Sequence, residues 1–344
     1  MSRLQSVDVL RVAAIIAVIS IHTTPFSSPS IPVGERLDLA TVINQLARFA
    51  VPFFFVLSGY FWAHKIATGG TVISSTLPMV KRIALLLFSW SIIYLFPTDL
   101  SASLEYGLFG PLKSSYWNLS DAINRRFDTL LEGTMYHLWF LPALVCSLVI
   151  SALLLHYGPR SLLVVLAVVL FLIGLAGGAY REAPFGFEAN FNFRNGPFFS
   201  LVFFVSGYLL YHRASSKTWL PIGIAVASAG AFLQFYEVIM LNKAWGLPMN
   251  QDYVLGTYFF GIGISMIAIS NPKLLRCSWA AAIGPLVLGI YASHVIFVRL
   301  LLPIDGKFDG NWIWSVVYVM LVFLLSYTLA NFLARFNVTK KLVM

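Results

Sequence analysis

"DVLRVAAIIAVISIHTTPF", residues 8–26, reads as a membrane span with an ionisable group at either end of its apolar run. Arg11 precedes the largely apolar stretch 12–21 and His22 follows it. Lipid offers the backbone no hydrogen-bond partner, so such a run crosses as a helix. A cation and an imidazole in that setting are costly and mark function by default. An α-helix turns about 100° and rises about 1.5 Å per residue. The eleven steps from Arg11 to His22 therefore make three turns plus about 20°, which puts both side chains on one face about 16 Å apart. Ala14, Ile15 and Val18 lie between them on that face, and Asp8 stands one turn from Arg11, close enough to pair.

Composition places the whole chain in the same class. Of 344 residues, 59% are hydrophobic and 11% charged, with a mean hydropathy of +0.81. Soluble domains carry about 25% charged residues. The expected fold is all-α: a polytopic membrane helix bundle of about ten transmembrane helices, forming a single transmembrane domain over 1–344. Apolar runs predict spans at 7–25, 40–63, 81–97, 137–156, 160–178, 197–212, 218–240, 253–270, 279–302 and 312–334.

Loop charges set the orientation. With the N-terminus in the cytoplasm, the inner segments hold twelve Lys and Arg, among them Arg3, Lys81, Arg82, Lys217, Lys273 and Arg276, against the single acid Asp8. The outer segments hold nine Lys and Arg against thirteen acids, among them Asp99, Asp121 and Glu132. That bias predicts both termini cytoplasmic. It also assigns the net charge of +9 to a membrane surface, so no nucleic acid is expected as partner. A cleaved signal peptide is the alternative reading of the first span, but no clean A-x-A site follows Ile21.

Cys146 and Cys277 make neither a disulfide framework nor a metal-ligand spacing, and no P-loop, HExxH or GxGxxG is present, so no metal is expected. Two outer segments, 98–136 and 180–196, are expected to be non-helical. The second, "YREAPFGFEANFNFRNG" from 180, interleaves aromatic and polar side chains, as either a sugar platform or an interfacial aromatic belt would. Arg48 lies about eight residues into the second span from its outer end. Ser58-Gly59 and Ser206-Gly207 read as small-residue packing positions. His64, His156 and His212 fall at inner span ends and read as interface residues.

Several blocks together resemble the integral-membrane acyltransferase 3 O-acyltransferases, in the compact form without an SGNH-type domain. Arg11, ten residues and His22 match the hallmark of that family's first span, within "DVLRVAAIIAVISIH". "RFAVPFFFVLSGYF" from Arg48 is similar to its second span, and "YHLWFL" from Tyr136 to the entry of its fourth. "LGIYASHVIF" from Leu288, with Tyr291 and His294, is similar to its late Tyr-x-x-His block. Many relatives carry R-x-x-R before the third span, where this chain has Lys81-Arg82.

The resemblance implies acyl transfer, acetyl in many members, from cytoplasmic acyl-CoA to a sugar hydroxyl of a cell-surface or lipid-linked glycan, in the bacterial inner membrane. The implied donor is acetyl-CoA, with no permanently bound cofactor; the other partners are the glycan acceptor and membrane lipids. Arg11, Lys81 and Arg82 would hold the donor's phosphates. His22 would be the general base or, alternatively, the acyl-carrying nucleophile. Arg48 would stabilise the oxyanion or orient the acceptor. Trp139, His137, Tyr291 and His294 would line the acceptor site. Two other functions fit the composition. One is a transporter or flippase for a glycan or small metabolite, proton-coupled through His22, although no paired broken helices are evident. The other is a structural scaffold, which leaves Arg11, His22 and Arg48 unexplained.

Overall fold

Pro52 decides the shape of the second apolar segment. It has no N–H to offer the Arg48 carbonyl and its ring crowds that turn, so a straight helix cannot pass. In the computed structural model, which describes residues 4–28, 30–97, 105–213, 219–271, 275 and 277–344, the expected span 40–63 is accordingly two helices. They are α2 (Leu39–Ala47) and α3 (Ala50–Ala67), with Arg48 at the break between them. The Asp38 carboxylate caps α2 by accepting from the Thr41 amide at 2.7 Å. Before them, α1 runs Gln5–Thr23 and stops where Thr24 turns left-handed, one residue before Pro25.

The remaining helices are α4 (Val72–Ile93), α5 (Gly110–Asn124), α6 (Phe127–Glu132), α7 (Phe140–Tyr157), α8 (Arg160–Gly177), α9 (Pro197–His212) and α10 (Trp219–Trp245), followed by α11 (Leu255–Ser270), α12 (Ser278–Ile283), α13 (Val287–Asp305) and α14 (Trp312–Leu333). All ten expected apolar runs are helical, and no strand occurs among the described residues. Among the described residues, eight segments are long and apolar enough to cross a membrane. α9 and α11, with 16 residues each, cover about 24 Å.

Two expectations need correcting. The third span starts at Val72 rather than 81, because Thr71 and Ser74 form a reciprocal capping box that nucleates the helix ahead of Pro78. Residues 98–136 were expected to be non-helical but contain α5 and α6. Leu112, Tyr116, Leu119 and Ile123 recur at helical spacing along α5 and are all exposed, the pattern of an amphipathic surface helix rather than an apolar run. Arg3, Lys217, Lys273, Arg276 and Asp99 lie outside the described residues.

The first helix is the hub of the bundle. α1 packs against α2, α3, α11, α12, α13 and α14, and Ala14, Ile15 and Ile19 have no exposed surface. Beside it, α3 and α9 cross backbone to backbone at the small-residue positions. A Cβ on Gly59 would lie 1.9 Å from the Phe204 carbonyl oxygen, and one on Gly207 would lie 1.9 Å from that of Val56. Gly59→Ala should therefore force the helices apart at a cost of about 1–3 kcal/mol. In detergent, its thermal midpoint should fall, whereas Gly34→Ala, with nothing within 4 Å of the new Cβ, should unfold like wild type.

Candidate active site

The α1 face that carries Arg11 borders a largely apolar cavity of about 520 Å³. Arg11 and Arg82 line one end of it, Phe61, Leu57 and Val18 its sides, and Phe140 and Tyr291 the other end. The Arg11 guanidinium lies 3.5 Å from the Asp8 carboxylate and 5.2 Å from the Phe61 ring centroid. It is thus held at the apolar cavity by a paired carboxylate and an aromatic face. Lys81 is exposed and does not line the cavity.

Further along the same face, three histidines converge. The His22 ring centroid is 5.2 Å from that of His294 and 6.4 Å from that of His137, and these two are 5.0 Å apart. Tyr136 stands 5.3 Å from His22. His137 and His294 are buried, while His22 is half-buried. His294 Nδ1 is 2.5 Å from the Tyr291 carbonyl oxygen, and His137 Nε2 is 3.3 Å from that of Ala292. A carbonyl only accepts, so in the neutral rings those nitrogens carry the protons. His294 Nε2 and His137 Nδ1 are left as lone pairs, both buried and without a partner among the described residues. Two unpaired acceptors in one buried cluster await a donor, at a cost of about 1–3 kcal/mol each.

The cavity and the histidine cluster are not one open passage. His22 is not among the cavity's lining residues, and Phe140 and Tyr291 close the inner end with ring centroids 5.5 Å apart. The Tyr291 hydroxyl donates to the His137 carbonyl oxygen, and the Tyr291 ring lies 6.0 Å from that of His294. A single aromatic layer separates the two.

On the other side of the cluster stands a chain of ion pairs. Arg48, at the α2–α3 break, donates to Asp252 Oδ1 at 2.8 Å, to Asn44 Oδ1 at 3.0 Å and to the Asn250 carbonyl at 3.0 Å. Arg194 donates to Asp252 Oδ2 at 3.3 Å. It also lies 3.6 Å from Glu132 Oε1, with its guanidinium 4.9 Å from the Trp139 ring centroid. Arg48 and Arg194 thus meet at one carboxylate, Asp252. Burial alone would raise the Asp252 carboxyl pKa, but Arg194 and Arg48 outweigh it and hold the group below the ordinary carboxylate range.

The structure thus brings His22, His137, His294 and Tyr291 together, with Arg48 facing them, and places Arg11 and Arg82 at the cavity. Trp139 is a buried ring beneath Arg194, packed on Phe199 at 5.7 Å, rather than an open platform. Arg194, Asp252 and Glu132 join the site without having been singled out from sequence. The available signal was Arg194 within the aromatic and polar run 180–196; Asp252 and Glu132 are acids in loops rich in them.

The family model described as an acyltransferase domain matches residues 4–331. An amino-acid racemase of Enterococcus faecalis is 25% identical over 357 residues, covering 98% of this chain and 48% of that protein. A serine/alanine racemase of Enterococcus gallinarum is 30% identical over 246 residues, covering 65% of this chain and 33% of that protein. The chain thus spans about half the length, or less, of these curated relatives, whose racemase names are their own. No solved structure matches the chain.

The Asp252 bridge makes a pH-dependent prediction. A carboxyl whose folded pKa lies below the unfolded value of about 3.9 stabilises the fold above that value and loses its contribution as pH falls through the folded pKa. Asp252→Asn should therefore lower the unfolding midpoint at pH 7. The gap from wild type should close below about pH 4, as read by thermal unfolding across a pH series.

Proposed function

The chain belongs to the acyltransferase 3 family, and on that premise we propose that it is a membrane O-acyltransferase. It takes an acyl group, acetyl in the simplest case, from cytoplasmic acyl-CoA. It delivers that group to a sugar hydroxyl of a cell-surface or lipid-linked glycan across the inner membrane. One observation carries the reading: a single helix places a cation at the rim of an apolar cavity and an imidazole in a polar cluster about 16 Å further along the same face. Loop charge supports the orientation, with both termini and the Arg11 end of α1 cytoplasmic.

In this reading Arg11 and Arg82 grip the donor's phosphates through forked hydrogen bonds, with Lys81 adding charge beside them. The apolar cavity takes the pantetheine arm, and the Phe140–Tyr291 layer must shift to admit the thioester to the cluster. His22 accepts the acceptor hydroxyl's proton as the oxygen attacks the thioester carbonyl. The C–S bond then breaks, and the CoA thiolate leaves and recovers that proton from the imidazolium. The acyl ester of the sugar remains. The unpaired lone pairs of His294 and His137 suit an N–H of His22, which would hold the base in one tautomer with its other nitrogen free. The fixed charges of Arg48 and Arg194 favour the oxyanion of the tetrahedral intermediate.

Radiolabelled acetyl-CoA supplied to the cytoplasmic face of inside-out vesicles tests the proposal. Label should appear on glycan at the opposite face. His22→Ala, checked for an unchanged thermal midpoint, should lower the rate about 10²–10⁴-fold. Arg11→Ala should mainly raise the KM for acetyl-CoA. Glycan crossing without label, or full transfer by folded His22→Ala protein, would overturn it.

A further inference from the structure

A second cavity, of about 440 Å³, opens beside the ion-pair chain, formed by the segment 177–194 and by residues 251–253. This volume falls within the ~300–1,000 Å³ range of small-molecule sites. Arg181, Glu188, Asn190, Asn192, Gln251 and Asp252 line it. We propose that it holds the non-reacting part of the acceptor, as a neutral, hydroxyl-rich sugar unit. The proposal rests on the acyltransferase reading and names the substrate class of that same site.

Three observations support it. The first is charge balance. The lining carries Arg181 and Arg194 against Glu188 and Asp252, and the Arg194–Asp252 pair neutralises itself at 3.3 Å, while Arg181 lies 3.5 Å from Glu182. A phosphate or carboxylate ligand would meet no uncommitted cation. The second is the supply of planar polar groups. Glu188 and Asn190 are exposed and line the cavity. Their flat carboxylate and amide can each span two neighbouring hydroxyls, as donor and acceptor together in the amide. Phe191, edge-on to Phe193 at 5.3 Å, adds an apolar ring for a sugar's C–H face.

The third observation is position. Arg194 is a wall of this cavity, rests on Trp139, two residues along the chain from His137, and shares Asp252 with Arg48. A sugar seated here touches the arginine that packs on Trp139, next to the segment that carries His137 into the histidine cluster. Binding energy from this remote unit can then serve to orient the reacting hydroxyl. The donor cavity and this one share no lining residue, so donor and acceptor need not compete for space.

The test uses the full chain in lipid nanodiscs with two neutral probes, chitotetraose and maltotetraose, and the anionic tetragalacturonate, followed by saturation-transfer NMR. At least one neutral probe should bind, and tetragalacturonate should not compete. Asn190→Ala and Glu188→Gln, each retaining the wild-type thermal midpoint, should weaken that binding at least tenfold. Binding of tetragalacturonate alone, no binding of either neutral probe, or unaltered binding by both folded variants would overturn the proposal. The two readings fail separately. Neutral-sugar binding lost in the variants, together with no acetyl transfer by wild type, would leave the sugar site standing and remove the acyltransferase reading.

Discussion

A guanidinium and an imidazole cannot be left facing hydrocarbon, and the arrangement around α1 follows from that constraint. Isolated charges in lipid cost several kcal/mol or more. The helix that carries Arg11 and His22 is therefore enclosed by six others, and the strip between the two groups, Ala14, Ile15 and Val18, is buried. The enclosure is incomplete at both polar ends. Arg11 opens on the apolar cavity, and His22 remains half-buried beside Tyr136. In the acyltransferase reading, that opening is where an anionic ligand of Arg11 would enter.

The second constraint is electrostatic. Asp252 is shared by two arginines, one from the α2–α3 break and one from the segment before α9. Removing one partner from such a pair leaves an uncompensated charge, so the bridge fixes the loops relative to α2. Pro52 is upstream of all this. It interrupts the helix at Arg48, which turns that residue's side chain to the Asp252 loop instead of leaving it midway along a continuous span. The break also explains how an arginine can sit within a 29-residue apolar segment without facing lipid.

Much of this was legible in the sequence, because lipid makes long apolar runs unambiguous and the helical period puts Arg11 and His22 in phase. His137, Tyr291 and His294 were also visible as local blocks. Where the reading failed, the signal was of another kind. α5 alternates polar and apolar residues, so no continuous run announces it, and the start of α4 rests on a hydrogen-bonded capping box ahead of a proline. Arg194, Asp252 and Glu132 are ordinary loop charges in one dimension. Only the fold reveals that residues 58 positions apart in the chain, Arg194 and Asp252, share a bond. The separation of cavity and cluster by Phe140 and Tyr291 was likewise invisible, since spacing along one helix says nothing about rings supplied by α7 and α13.

That aromatic layer bears on how a group can be passed across a membrane without opening a pore. A continuous channel from the Arg11 end to the polar cavity would conduct water and ions along with the acyl arm. Here α1 and α13 reach both the cavity and the histidine cluster, and Phe140 and Tyr291 close the path beside them. In the acyltransferase reading, the methylene segments of the pantetheine arm can displace a ring pair of this kind at little cost, since contact with the arm replaces contact between the rings. Water would have to give up its hydrogen bonds to do the same. On that reading the layer parts only for an arm that fills the opening, and the thioester would be exposed to the imidazole cluster only while its own arm holds the rings apart.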